Sequence, residues 1–265
     1  MTTMMKLNGK NYYTPKANGE YFSVSQYKAF CQCEAKAMAE IRGDYERPQS
    51  AALLLGSFVD EMLTGTKKSQ EQFLEDNRSE LYKKNGEPYA DTAKALATIE
   101  RVKKQPLMMK YLSGRHQVIM TGEIAGVPFK IKMDTYKKGE FISDLKYMAS
   151  LRSPNMFEPM VKYWNYIAQG AVYQEVVYQN TGKRLPFYLV IATKESPPHL
   201  EVCEIKQYDL DEELDNIKKR IARFQAIKRG EIAADRCEEY DCDYCTETRV
   251  ITEPVDSNFL GMTRK

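Results

Sequence analysis

The chain has 265 residues, 43 % of them apolar and 29 % charged, a length and balance that suit one α/β domain with a sizeable core. The formal net charge is only +2, which excludes a nucleic-acid footprint built on a global basic excess and leaves room for a local patch. No run approaches the ~18 apolar residues of a membrane-spanning helix, and no basic start leads into an apolar stretch, so the expectation is a cytoplasmic protein with no membrane partner.

Residues 1–20 are polar, carry Gly9, Pro15 and Gly19, and predict a loosely packed N-terminal arm or edge strand. A serine cap at Ser25, then Tyr27, Phe30, Cys31, Ala35, Met38 and Ile41 at helical spacing, predicts a helix ended by Arg42-Gly43-Asp44. Pro48 and Ser50 precede a second helix from Ala51 to about Leu63, closed near Gly65. A charged helix over 70–82, a loop over 83–88 and a helix from Asp91 to Lys104 follow. Strands are predicted at 117–124, 127–136 and 141–146, then a long aromatic-rich helix over 154–180. Strands at 185–193 and 200–207 and a charged helix over 211–229 complete the order. Helices, a strand cluster, a helix, two strands and a helix predict an α/β sandwich with an α-helical cap. The expected organisation is an arm (1–20), one domain (21–246) with a helical segment (25–105) and a core (115–230), and a tail (247–265).

The stretch Gly126-Val127-Pro128-Phe129-Lys130-Ile131-Lys132-Met133-Asp134 alternates apolar and polar residues as a half-buried strand does. Lys137-Lys138-Gly139-Glu140 breaks the alternation and Phe141-Ile142-Ser143-Asp144-Leu145-Lys146 resumes it. A hairpin centred near Gly139 sets Asp134 opposite Asp144, where cross-strand neighbours lie about 5 Å apart and like charges repel. Lys146 shares the face of Asp144, because strand side chains have period two. Two carboxylates and an ammonium on one patch suit a divalent cation with a lysine beside it, an arrangement that cleaves phosphodiesters. An acid-x-Lys triplet alone carries little weight, since Glu34-Ala35-Lys36 and Glu204-Ile205-Lys206 match equally well. What sets Asp144-Leu145-Lys146 apart is Asp134 upstream, together with Gln169 and Tyr173 downstream, four apart and so on one helical face.

This combination resembles the PD-(D/E)xK nuclease superfamily, and within it the RecB-like and RecE-like exonucleases of phages and prophages. The resemblance spans Ser23 to Cys245. It implies a restriction-endonuclease-like α/β core, a central mixed sheet flanked by helices with an N-terminal helical region. It implies Mg²⁺ or Mn²⁺ held by Asp134, Asp144 and the Leu145 carbonyl, with Lys146 catalytic and Gln169 and Tyr173 flanking the site. RecB-like nucleases often carry Gly-x-x-x-His in the second helix; here Gly56 is followed by Asp60, and a carboxylate is at least as good a ligand for a hard cation. Glu123 is a further candidate, as a minor ligand or a supporting carboxylate, whereas His116 and His199 fall outside the pattern. The implied substrate is a DNA duplex end, resected for recombination beside a single-strand annealing protein, and a homo-oligomeric ring is compatible with that role. The alternatives are a nuclease of CRISPR adaptation or helicase-associated repair, or an inactive DNA-binding module of the same fold. No Gly-x-x-x-x-Gly-Lys-Ser/Thr loop is present, so any helicase is a separate protein. Lys130, Lys132, Arg115 and Arg152 are candidates for phosphate contact. Tyr163, Trp164 and Tyr166 are candidates for base stacking or for the core.

Cys237, Cys242 and Cys245 crowd into one short segment. Cys-x-x-Cys spacing lets two thiolates reach one metal, and a third leaves one tetrahedral corner for Cys33 or Cys31. With no secretory signal, disulfides are not expected. Several RecB-like nucleases hold an iron–sulfur cluster on one N-terminal and three C-terminal cysteines, and that resemblance places Cys33 in the N-terminal slot. The C-terminal spacing departs from better-known versions, so an iron–sulfur cluster and Zn²⁺ both stay open. Cys203 reads as a core residue of a strand.

Overall fold

The hairpin that the alternating pattern predicts is formed. In the computed structural model, which describes residues 5–46, 50–237, 242–251, 254 and 257–258, strand β1 (Arg115–Ile124) leads to β2 (Val127–Lys137) and β3 (Phe141–Met148). Gly139 takes a left-handed backbone, φ 79°, as the tight turn between β2 and β3 requires. Antiparallel pairing runs Lys137↔Phe141, Tyr136↔Ile142 and Thr135↔Ser143, so Asp134 and Asp144 come next in the same register. Strand β3 then pairs in parallel with β4 (Phe187–Thr193), which pairs antiparallel with β5 (Leu200–Ile205). The result is a mixed five-stranded sheet in the order β1-β2-β3-β4-β5.

Among the described residues, eight helices precede the sheet: α1 (Pro15–Glu20), α2 (Val24–Gln32), α3 (Glu34–Arg42), α4 (Ala51–Thr64), α5 (Lys67–Asp76), α6 (Arg78–Leu81), α7 (Ala90–Lys103) and α8 (Pro106–Tyr111). Between β3 and β4 lie α9 (Met160–Tyr163) and α10 (Tyr166–Thr181), and after β5 come α11 (Gln207–Lys228) and α12 (Asp243–Glu247). None of the described helices is long and apolar enough to cross a membrane. Contacts divide the chain into two compact units, one of Gln49–Gly122 and Lys130–Asn216, the other of Met1–Pro48, Glu123–Phe129 and Ile217–Lys265.

In the first of these units the sheet carries helices on both faces. Leu145, Val190 and Ala192 share one face, because β3 and β4 pair Leu145 with Val190, and they are buried against Leu55, Phe58 and Val59 of α4, Ile99 and Val102 of α7 and Met108 of α8. The opposite face, which Asp144, Lys146 and Phe187 share, lies under α10. Contact there is close: a methyl group added at Gly170 would meet Phe187 Cδ1 at 2.6 Å and Leu210 Cδ2 at 2.8 Å. Gly170→Ala is therefore expected to cost about 1–3 kcal/mol by overpacking, read as a lower urea midpoint with unchanged slope. A midpoint equal to wild type would contradict the tight seat of α10.

The other unit is built on aromatic packing. Phe30 stacks on Phe224 with ring centres 5.1 Å apart, Phe22 packs on Phe129 at 5.9 Å, and the Lys228 ammonium sits 4.2 Å above the Phe22 ring. Arg223 grips Glu34 with two hydrogen bonds of 2.7 and 2.8 Å and reaches Asp235 at 2.7 Å.

Several elements differ from expectation. Residues 15–20 form α1, with Tyr12 and Ala17 buried, where the polar composition predicts a loose arm. Ser23, not Ser25, caps the next helix, and the predicted helix through Ile41 is broken at Cys33. The second helix starts at Ala51 as expected, with Ser50 as its cap, whereas Pro48 lies outside the described residues. Helix α8 was not anticipated; Pro106 starts it at a first-turn position where proline loses no hydrogen bond. The helix expected over 154–180 is confined to α9 and α10, with Asn165 capping α10 in a left-handed conformation. Gln207 opens α11, four residues ahead of the expected start.

Candidate active site

The acidic pair lies next to the last Cα partners of β2 and β3, Thr135 and Ser143. One residue beyond Thr135↔Ser143, Oδ2 of Asp134 accepts the Leu145 amide hydrogen at 3.1 Å. The main chain of β3 thus fixes the Asp134 side chain. Asp144 is 2 % exposed, and its Oδ1 accepts from Gln169 Nε2 at 2.6 Å. Its Oδ2 is in ion-pair contact with Lys146 Nζ at 2.5 Å.

Helix α10 supplies the clamp. Gln169 uses its oxygen to accept from Lys146 Nζ at 3.1 Å while its nitrogen serves Asp144, so one amide orients both charged groups. Tyr173, one turn on, lies 3.2 Å from the same nitrogen and donates to the Lys132 carbonyl at 2.9 Å. The Lys146 ammonium also sits 4.9 Å above the Tyr166 ring. The amide-x-x-x-phenol spacing thus places both groups in one network with the acid-x-Lys triplet.

Asp60 enters from α4. Its Oδ1 accepts from Thr64 at 3.2 Å and its Oδ2 from Gln117 Nε2 at 3.0 Å. Gln117 holds a φ of 52°, a left-handed backbone that residues other than glycine seldom adopt, and in that conformation it reaches Asp60. His116 Nδ1 lies 3.1 Å from the Asp134 carbonyl oxygen, which fits a ring protonated on that nitrogen. The sequence pattern sets His116 aside and does not single out Gln117; β1 begins at Arg115 rather than at 117.

The electrostatics follow from this crowding. Burial, then the charges of Asp144 and Asp60, push the Asp134 carboxyl well above the usual carboxylate range. Burial raises Asp60 to about 6, with the Thr64 hydrogen bond opposing and the Asp144 charge adding. Burial works to lower the Lys146 ammonium, but Asp144 and Asp134 outweigh it and its pKa is raised. Burial and mutual repulsion that raise Asp134 and Asp60 are relieved by a cation among them, and the donor set is all oxygen, as Mg²⁺ and Mn²⁺ prefer.

Other candidates fall elsewhere. Glu123 is exposed near the end of β1. Lys130 is 1 % exposed, a core position rather than the exposed strand face that phosphate contact needs. Arg115 is exposed, and Tyr163 and Trp164 are part-exposed. Cys203 is only half-buried on β5.

The four cysteines do converge. Sulfurs of Cys33, Cys237, Cys242 and Cys245 all lie within 4.8 Å of one another. Cys31 stands apart, its sulfur facing Arg220 Nη1 at 3.8 Å.

A mixed sheet whose hairpin carries Asp134 and Asp144-x-Lys146 beneath a Gln-x-x-x-Tyr helix defines the PD-(D/E)xK class. The chain belongs to the family described as "PDDEXK-like domain of unknown function", which matches residues 23–248. It is also similar to a solved structure from Eubacterium rectale, provisionally named an exonuclease, with 40 % identity over 98 % of this chain and 100 % of that one and a TM-score of 0.89. No curated protein shows significant similarity.

Proposed function

We propose that this protein is a Mg²⁺- or Mn²⁺-dependent deoxyribonuclease that hydrolyses phosphodiester bonds at DNA ends. The observation that carries the reading is the single network linking Asp134, Asp144, Lys146, Gln169 and Tyr173 through the Leu145 amide, the Gln169 amide and the Lys132 carbonyl. Asp134, Asp144, the Leu145 carbonyl and Asp60 would hold the cation. When bound, it supplies Lewis-acid polarisation of the scissile phosphate and a lowered pKa for water.

The chain's own groups do the rest. Lys146 holds a water or a phosphate oxygen and offsets the negative charge that develops as the P–O bond breaks. Its pKa is raised by Asp144 and Asp134, which favours the ammonium form beside them. Gln169 fixes the Lys146–Asp144 geometry, and Tyr173 fixes Gln169. A complete network of this kind argues against the inactive-module reading, since an idle buried ion pair contributes little to stability.

End specificity rests on the resemblance to RecE-like exonucleases and on the name given to the Eubacterium rectale protein. By the same resemblance the process is resection before strand annealing, with a single-strand annealing protein as partner. The four sulfurs are assigned to a second, structural centre, an iron–sulfur cluster by family likeness, with zinc left open by the departure in cysteine spacing.

End-labelled duplexes with blunt or recessed ends should be shortened in Mg²⁺ or Mn²⁺, covalently closed circles should survive, and EDTA should stop the reaction. Equal cutting of closed circles would reject the exonuclease, and no cutting with either metal would reject the nuclease.

A further inference from the structure

The two centres that remain open for the sulfur quartet demand different spacings. Zinc with four thiolates at about 2.3 Å holds the sulfurs at the corners of one tetrahedron, about 3.8 Å apart. A four-iron cluster gives each thiolate its own iron, which sets any two cysteine sulfurs about 6 Å apart. A two-iron cluster keeps two thiolates close on each iron but separates the two pairs by a similar ~6 Å.

Cys33 and Cys245 are 3.5 Å apart and Cys237 and Cys242 3.6 Å apart. Those two short pairs alone would suit zinc or a two-iron cluster. The deciding fact is that every separation in the quartet stays within 4.8 Å, which leaves no room for a second iron. We propose that Cys33, Cys237, Cys242 and Cys245 bind one Zn²⁺ as a mononuclear four-thiolate site, in place of the iron–sulfur cluster that the family likeness implies.

The local backbone is built for it. Cys33 ends α2 in an extended conformation, φ −161° and ψ 111°, and caps α3 with its sulfur, which accepts from the Lys36 amide at 3.5 Å. Cys242 caps α12 in the same way, accepting from the Cys245 amide at 3.4 Å. Amide hydrogens directed at sulfur favour thiolates and orient them, the part that surrounding groups play in structural metal sites. Arg236 reaches the Cys245 carbonyl at 3.4 Å and lies over the Tyr244 ring, placing a cation beside a centre that would carry excess negative charge. The site would join residues 212 apart in sequence, so its binding energy is folding energy for this unit.

The test does not depend on nuclease activity. Full-length protein, expressed with both iron and zinc supplied and purified without oxygen, should contain about one zinc per chain, no acid-labile sulfide and no visible absorbance. Exchange with Co²⁺ should give the intense visible bands of tetrahedral cobalt–thiolate, saturating at one equivalent in wild type, Cys31→Ser and Cys203→Ser. Cys242→Ser should weaken cobalt binding at least tenfold or fail to fold. Iron and sulfide in equal, multiple amounts per chain would overturn the assignment. So would metal-free wild-type protein that gives no cobalt–thiolate spectrum.

Discussion

Lys146→Ala should cut the rate on linear duplex by about 10²–10⁴-fold, the usual contribution of a positioned proton-transfer group. It should also destabilise the metal-free protein. A lysine on a solvated strand face would contribute little to stability, but here Nζ is 2.5 Å from Asp144 Oδ2 and 3.1 Å from the Gln169 oxygen. The lysine side chain keeps 22 % exposure while the aspartate keeps 3 %, so removing the ammonium leaves a buried carboxylate without its counter-charge. The expected cost in EDTA is on the order of 1–3 kcal/mol, that of an unsatisfied buried acceptor. Saturating Mg²⁺ should recover most of it, because the cation replaces the missing positive charge. A variant that digests duplex near the wild-type rate would remove Lys146 from catalysis. A variant with the wild-type melting temperature in EDTA would show that Asp144 does not depend on Lys146 for its counter-charge.

Much of this site was legible because it is local in sequence. Asp134, Asp144 and Lys146 lie on one hairpin, whose register follows from the alternation and a single glycine turn, and Gln169 and Tyr173 are one helical turn apart. Asp60 was reached only through family likeness, since nothing in α4 distinguishes a ligand carboxylate from a solvated one. His116, set aside in the sequence, and Gln117, not singled out there, escape for a different reason. Their role depends on where β1 starts and on a left-handed backbone at Gln117, and neither leaves a mark in hydrophobic periodicity.

The cysteines show the same limit from the other side. The apolar spacing through Tyr27, Phe30, Ala35 and Met38 reads as one helix. The chain instead extends at Cys33, so that its sulfur both caps α3 and joins three others from the far end of the sequence. Helical periodicity carried across that break with little change in phase, which is why the break was invisible. The α1 segment was misread because buried Tyr12 and Ala17 sit among exposed polar neighbours, too few apolar residues to set a pattern.

Asp134→Asn should lose activity by at least about 10²-fold and yet make the metal-free protein more stable at neutral pH. Asparagine keeps an oxygen for the Leu145 amide, which Asp134 binds at 3.1 Å, but removes a charge from a cluster that already contains Asp144 and Asp60. The sign of the pH dependence follows from the raised pKa of Asp134 in the fold, caused first by burial and then by those neighbouring carboxylates. Between the ordinary carboxylate pKa of about 4 and the raised native value, the folded state binds more protons than the unfolded one. Falling pH therefore relieves wild type through this group, and the relief is complete below about 4. The advantage of Asp134→Asn, measured in EDTA, should be largest near pH 8 and shrink steadily on acidification. Asp60→Asn should behave alike over a narrower window, closing between about 6 and the ordinary range. Because both variants are compared with wild type at each pH, titrations of groups that do not interact with this cluster cancel. Isothermal titration should show weaker Mg²⁺ binding by Asp134→Asn, the cation having lost a charged ligand. Unchanged Mg²⁺ affinity, together with a stability difference that does not vary from pH 8 to pH 4, would mean that Asp134 is neither a ligand nor a strained carboxyl.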